Sequence, residues 1–273
     1  MCMMGVDVVE NYVAPEELAK YLPIDRGDSV LVASDVTYLY WLAYREGKVF
    51  DMNRLIDCMQ EKVGPEGTLL FPTYNWKFCK GIPFDYRRTK SEVGSLSQAA
   101  LDRADFTRTR HALYSFAVWG KDKEMLVAKK DANSFAGDTP FDYFYHNGSK
   151  MLMLNARSCF TFMHYVEETI GVDYRFCKEF HGEYIDADGH HSQRMYSMYV
   201  RYLDDRAVEL HPNMDQWCLE TGVFENVPNP YMSIWLSRLK EAYAVLVHDI
   251  ESNHSRHMIS FTGAHWKKDG CDT

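Results

Sequence analysis

The chain of 273 residues is 46% hydrophobic and 25% charged, the proportions of a packed globular protein rather than a disordered one, and no window approaches the ~18 apolar residues of a membrane span. Its net charge of -9, from 30 Lys+Arg against 39 Asp+Glu, argues against a nucleic-acid partner, which needs a concentrated basic face, and leans only weakly towards cationic small molecules. Seven cysteines without a CxxC pair or regular spacing suit a reduced compartment and argue against a disulfide framework or a zinc ribbon.

The opening MCMMGVDVVENYV has no basic region followed by an apolar run, so it does not read as a signal peptide and a cytoplasmic protein is expected. APEELAKYL sets Pro15 in a first helical turn, with Leu18, Tyr21 and Leu22 on one face. RGDSVLVASD gives a turn and a buried strand ending near Ser34 and Asp35. Apolar residues at 52, 55, 56, 59 and 63 recur with the helical period until GPEG stops them, and TLLFPTY follows as a second buried strand. SLSQAALDRA then predicts a helix, YSFAVWG a strand and KDKEMLVAKK another helix. Thr139 is placed to cap a helix with Pro140 at its first position; Asn147-Gly148 turns the chain into a strand over 151–154.

Strands alternating with helices argue for an α/β layer architecture. Beyond GVDYRFCKEFHGEY the pattern changes: EYIDADGHHSQRMYSMYVRYL predicts a hairpin turning at DADG. MDQWCLETGVF and SIWLSRLKEAYAVLVHDI read as a helix followed by mixed strand and helix, and the last twenty or so residues as a mobile polar tail. With no internal repeat and no low-complexity linker, one domain is expected: a core over about 15–175, an appendage over about 176–250 and a tail over 251–273. The aromatic residues Tyr196, Tyr199, Tyr202, Trp217 and Trp235 are read as core, with a homodimer face as the alternative.

The chemistry-bearing pair is His164 and Glu167 in FTFMHYVEET. Three-residue spacing puts both on one side of a helix, where a carboxylate orients an imidazole, fixes its tautomer and raises its basicity. The pair follows the strand MLMLN, and in open α/β sheets ligands gather outside the carboxyl ends of strands. Similar strand exits stand at 33–35 and 72–76, so three polar tips are expected to converge. A metal site is weakly supported: His190-His191 sits beside the hairpin turn and there is no HExxH. No GxSxG elbow frames Ser34 or Ser115 as a nucleophile, and GxGxxG and GxxxxGK[ST] are absent.

Taken in order, VLVASDVTYLYW, GTLLFPTYNW, SEVGSLSQAALDRADFTRTRHALYSFAVWG, GDTPFDYFY and TFMHYVEE resemble the aminoglycoside 3-N-acetyltransferase family, also called antibiotic N-acetyltransferases, over roughly residues 15–175 and more weakly to about 250. The resemblance implies an α/β fold with a central mixed sheet flanked by helices and a smaller hairpin and helix appendage. It implies acetyl transfer from acetyl-CoA to an amine of an amino sugar or related small molecule by direct attack, without a metal. His164 would be the base and Glu167 would hold and polarise it. Thr73 would bond to substrate or to the developing oxyanion. For the coenzyme it points to Ser34, to Ser91, Val93 and Gly94 in SEVG, and to Arg108, His111 and Ser115 in RTRHALYS. Glycine lets backbone approach a pantetheine arm, and arginine meets pyrophosphate. On the substrate side it points to Asp35, Tyr74 and Asp204.

The chain departs from the family pattern where a first-tip His is Ala33, a second Ser is Asp35 and the proline of HP is Ala112. Where relatives hold a polycation with acidic residues, YVRYLDDRAV sets Arg201 and Arg206 around Asp204 and Asp205. That arrangement leans towards a substrate carrying an anion, such as a nucleotide-linked amino sugar or an amino acid. A catalytically silent coenzyme or partner binder and a metal-assisted amide hydrolase stand as alternatives.

Overall fold

A computed structural model of the chain describes residues 11–156 and 159–268; the first ten residues with Cys2, and the end of the predicted tail with Cys271, lie outside them. The centre is a mixed sheet built on three parallel apolar runs, β1 (Ser29–Ser34), β2 (Thr68–Pro72) and β6 (Lys150–Leu154). Alternate residues serve two cores: Leu31, Ala33, Leu70, Met151 and Met153 face one, and Val30, Val32, Leu69, Phe71, Leu152 and Leu154 the other. Burial on both faces explains why these strands are continuous apolar runs rather than alternating ones. β5 (Phe116–Gly120) joins β2 antiparallel and carries β4 (Thr107–Arg108) outside it, while β11 (Ile234–Arg238) joins β6 antiparallel and carries β10 (Glu225–Asn226). The seven-stranded order is β10-β11-β6-β1-β2-β5-β4.

One face is covered by α1 (Pro15–Ala19), α3 (Met52–Val63) and α4 (Ser95–Asp102). α3 shows how local sequence sets an element: Asp51 accepts from the Arg54 N–H at its start, and Gly64 at φ 65° ends it. It buries Leu55, Ile56 and Met59 completely, each worth about 1.5–3 kcal/mol over exposure. The other face takes α5 (Lys123–Ala128), α6 (Pro140–His146), α7 (Phe162–Ile170), α8 (Met214–Glu220) and α9 (Leu239–Asn253). Thr139 caps α6 by accepting from the Asp142 N–H, with Pro140 in its first turn, as its sequence predicts.

Three features differ from the sequence reading. α2 (Thr37–Arg45) has no counterpart in the sequence reading; it buries Leu39, Leu42 and Ala43 and half-buries Tyr38 and Tyr40 while Trp41 and Tyr44 stay exposed, which blurs its apolar stripe. The hairpin turns at Asp186–His190 as expected, but its strands β7 (Arg175–Ile185) and β8 (His191–Arg201) are longer, and β3 (Phe84–Asp85) pairs parallel with β7. The predicted mobile tail is folded as far as Lys268: β12 (Ile259–Phe261) pairs antiparallel with β9 (Val208–Leu210), α10 (Ala264–Lys268) follows, and Met258, Ile259 and Trp266 are buried. Their apolar side chains are scattered among polar ones, and a strand some fifty residues earlier supplies the partner, so no local window reveals them.

Candidate active site

The parallel strands β1, β2 and β6 end on one edge of the sheet, and the chain leaving β6 turns into α7. That helix presents His164 to a cavity of about 490 Å³. The cavity is walled by the β1 tip (Ala33, Ser34), the β2 exit (Pro72, Tyr74, Trp76), Val93, Tyr114 and Phe135. Cys159, Phe160, Thr161, Met163, the Arg175 end of β7, the Met198–Arg201 end of β8, and β9 also line it.

His164 Nδ1 lies 2.7 Å from Glu167 Oε2, the two side chains meeting across three residues of α7. Glu167 is completely buried, an arrangement that costs several kcal/mol unless the carboxylate is paired and hydrogen-bonded. It is both. Gly171, at φ 78°, ends α7 and the chain returns so that Arg175 Nε comes 2.7 Å from the same Oε2. The Tyr174 hydroxyl donates to Oε1 at 3.1 Å and is bonded to Ser255 Oγ at 2.8 Å. The Arg175 Nε–H is not aligned with the carboxylate, so that contact is an ion pair rather than a directed hydrogen bond.

Burial by itself would raise the Glu167 carboxyl, but the charge of Arg175 and the bond to His164 outweigh it and hold the group below the usual carboxylate range. An ionised carboxylate only accepts, so Nδ1 carries the imidazole proton and Nε2 keeps its lone pair for the cavity. Burial first, and then the Arg175 charge, push His164 below its ordinary value against the pull of Glu167. The ring is therefore neutral at neutral pH and able to accept a proton. Phe135 packs against it with ring centroids 5.3 Å apart.

Ser34, Val93 and Gly94 are brought together beside this base. Gly94 adopts φ 113°, and a Cβ there would stand 3.0 Å from the Ser34 carbonyl oxygen, so only glycine lets the start of α4 come this close to the β1 exit. Ser34 Oγ is buried without a hydrogen-bond partner among the described residues, and Ser34 and Val93 line the cavity. Ser91 lies behind them, its Oγ accepting from the Val93 N–H at 3.3 Å. Tyr74 also lines the wall, 3% exposed.

Other expected site residues are placed away from the cavity wall. Thr73 and Ser115 are fully buried, their hydroxyls 2.8 Å apart. Arg108 Nε donates to Ser115 Oγ at 2.9 Å and Nη2 to the Thr73 carbonyl at 3.0 Å, and its guanidinium lies 4.6 Å from the Phe84 ring centroid. Burial pushes this guanidinium down to about 10. Its donors knit the β2 exit to β5 inside the protein. His111 likewise accepts from the Leu113 and Tyr114 N–H groups through Nδ1 and meets the Ala132 carbonyl through Nε2, and burial lowers it to about 4.

Asp35 is exposed and accepts from the Thr37 N–H at 3.0 Å, starting α2. Asp204 sits in an exposed turn paired with Arg206 at 2.8 Å, so Arg206 is neutralised, whereas Arg201 is on the cavity wall. Among the described residues, the one group of three side chains with metal-ligating atoms close together is Asp186, Asp188 and His190 at the hairpin tip, where none lines the cavity. Sequence reasoning missed Tyr174 and Arg175; the available signal was Tyr-Arg standing shortly after Glu167 and Gly171.

The family model described as aminoglycoside 3-N-acetyltransferase matches residues 31–251. Among solved structures, one described as AAC-IIIb with CoASH is 18% identical, covers 89% of this chain and 97% of its own, and superposes with a TM-score of 0.74. The YokD protein from Bacillus subtilis is 18% identical, covering 91% and 98% at a TM-score of 0.72. AAC-VIa bound to sisomicin is 17% identical, covering 89% and 98% at 0.71. At these identities the structures establish the shared fold. Comparison with curated protein sequences finds no match.

Proposed function

The chain belongs to the aminoglycoside 3-N-acetyltransferase family, and from that premise we propose that it moves an acetyl group from acetyl-CoA to the amino group of an amino sugar or related small metabolite, with His164 as general base. The observation that carries this reading is the 2.7 Å contact of His164 Nδ1 with a fully buried carboxylate, which leaves Nε2 for the cavity. Acetyl-CoA supplies the acetyl group as a thioester. The apolar channel beside Ser34, Val93 and Gly94 suits a pantetheine arm, and the unpartnered Ser34 Oγ offers it a hydrogen bond.

An ammonium has no lone pair with which to attack, so the acceptor first gives one proton to solvent and reacts as the neutral amine. His164 Nε2 takes the proton from the amine nitrogen as the N–C bond forms, and returns it to the thiolate sulfur as the C–S bond breaks. Glu167 stabilises the transient imidazolium and keeps the ring in its tautomer. Arg175 prevents that carboxylate from holding the proton too firmly, because its charge opposes imidazolium formation.

Free thiol release from acetyl-CoA, followed with a panel of amines and with His164→Ala, tests the reading. Release that needs both an amine and His164 supports it. Coenzyme binding without turnover on a broad panel would leave a silent binder instead.

A further inference from the structure

The hairpin that closes the cavity sets Arg175 directly opposite Arg201 as cross-strand partners. Their side chains therefore leave the same face, and both line the cavity. Like charges directly opposite on a sheet are destabilising unless something compensates them. Arg175 is compensated by Glu167. Arg201 is exposed, donates only to the Val208 carbonyl at 3.3 Å, and has no carboxylate partner among the described residues. The one carboxylate on the wall, Glu209, forms no ion pair with either arginine, again among the described residues. Apart from Ser34, Cys159, Thr161 and His164, the rest of the wall is aromatic or aliphatic, with Tyr74, Trp76, Phe160, Met163 and Tyr199 among its members.

From this geometry we infer that Arg201 forms an anion subsite for the acceptor, and that the acceptor is a primary amine with an apolar body and a carboxylate or phosphate, not a polycation. The inference rests on the acetyl-transfer reading above and names the substrate class of that site. A polyammonium compound needs several carboxylates in reach, and this wall offers one beside two guanidiniums. An anion meets Arg201 through charge-assisted hydrogen bonds, which are stronger than neutral ones. The cross-strand partner of Arg201, Arg175, pairs with Glu167, which holds His164, so the subsite lies beside the base.

The test compares amines that differ only in an anionic group: aminomethylbenzoate against benzylamine, glucosamine phosphate against glucosamine, and kanamycin as the polycation. Wild-type kcat/KM is expected to favour the anionic member of at least one pair by roughly tenfold, the size of one hydrogen bond to a charged group. Arg201→Gln is expected to collapse that ratio towards one. Calorimetric binding of the same pairs, to wild type and Arg201→Gln, supplies a readout without turnover. An Arg201-dependent binding preference without acetylation upholds the subsite and ends the transfer reading. Acetylation with no preference in any pair, or with kanamycin as the best acceptor, overturns the subsite and leaves transfer standing. A raised KM for acetyl-CoA in Arg201→Gln, with the acceptor ratio unchanged, assigns the guanidinium to a coenzyme phosphate and overturns the inference as well.

Discussion

Glu167 Oε2 stands 2.7 Å from His164 Nδ1 with the whole glutamate side chain withdrawn from solvent. The carboxylate itself is thus kept from solvent and acts on the base through the imidazole. Replacing His164 with Ala removes the base and is expected to lower kcat by roughly 10²–10⁴-fold, with acetyl-CoA affinity, measured by calorimetry, little changed. Glu167→Gln keeps the shape but removes the charge that steadies the imidazolium. A kcat loss of roughly tenfold or more is expected, with most of the fall in kcat rather than KM.

The same pair sets the pH profile. His164 must be neutral to accept a proton, and its value is lowered in the folded protein, so kcat/KM rises with pH and levels off with a midpoint below the ordinary ~6.5. Arg175 is one of the causes of that lowering. Arg175→Gln removes it, so the acid limb should move to higher pH. An acid limb that stays put or moves down would show that Arg175 does not act on the base. The variant should also unfold at lower temperature, because a buried carboxylate loses a partner at a cost of about 3–5 kcal/mol.

His111 gives a separate acid sensitivity. Its folded value is depressed to about 4 against ~6.5 when unfolded, so the unfolded chain binds the extra proton between those values. Stability present above pH ~6.5 is then lost as pH falls towards 4, by up to about 3 kcal/mol. His111→Asn lacks the titration. Urea unfolding at pH 7 and pH 5 should show a lower starting stability for the variant but a smaller fall than wild type.

Arg108 is expected to behave as a structural cation. Arg108→Lys cannot reproduce the fork that reaches Ser115 Oγ and the Thr73 carbonyl, and a loss of about 2–4 kcal/mol is expected. At a temperature where the variant stays folded, the KM for acetyl-CoA should change less than threefold or so. A tenfold rise without loss of stability would return Arg108 to the coenzyme.

Gly94→Ala places a Cβ 3.0 Å from the Ser34 carbonyl at φ 113°. The backbone strain costs about 1–3 kcal/mol, and relief by shifting the β1 exit should raise the KM for acetyl-CoA. A lower melting temperature and that KM rise are expected together.

Much of the fold was legible in the sequence because its signals are local. The apolar runs at β1, β2 and β6 were long enough to mark strands buried on both faces, and α3 and α6 carried their own caps. The pairing of His164 with Glu167 was legible for the same reason, since three residues on a helix fix the distance between two side chains. What surrounds that pair was not. Arg175 reaches Glu167 only because Gly171 reverses the chain, and Ser255 reaches Tyr174 across eighty-one residues. Thr73, Arg108 and Ser115 were singled out only by the family resemblance, and the tertiary structure turns them inward to satisfy one another. Spacing determines which groups can meet along one element. Whether a polar group faces a cavity or a buried partner depends on packing between distant elements, and only the folded chain decides it.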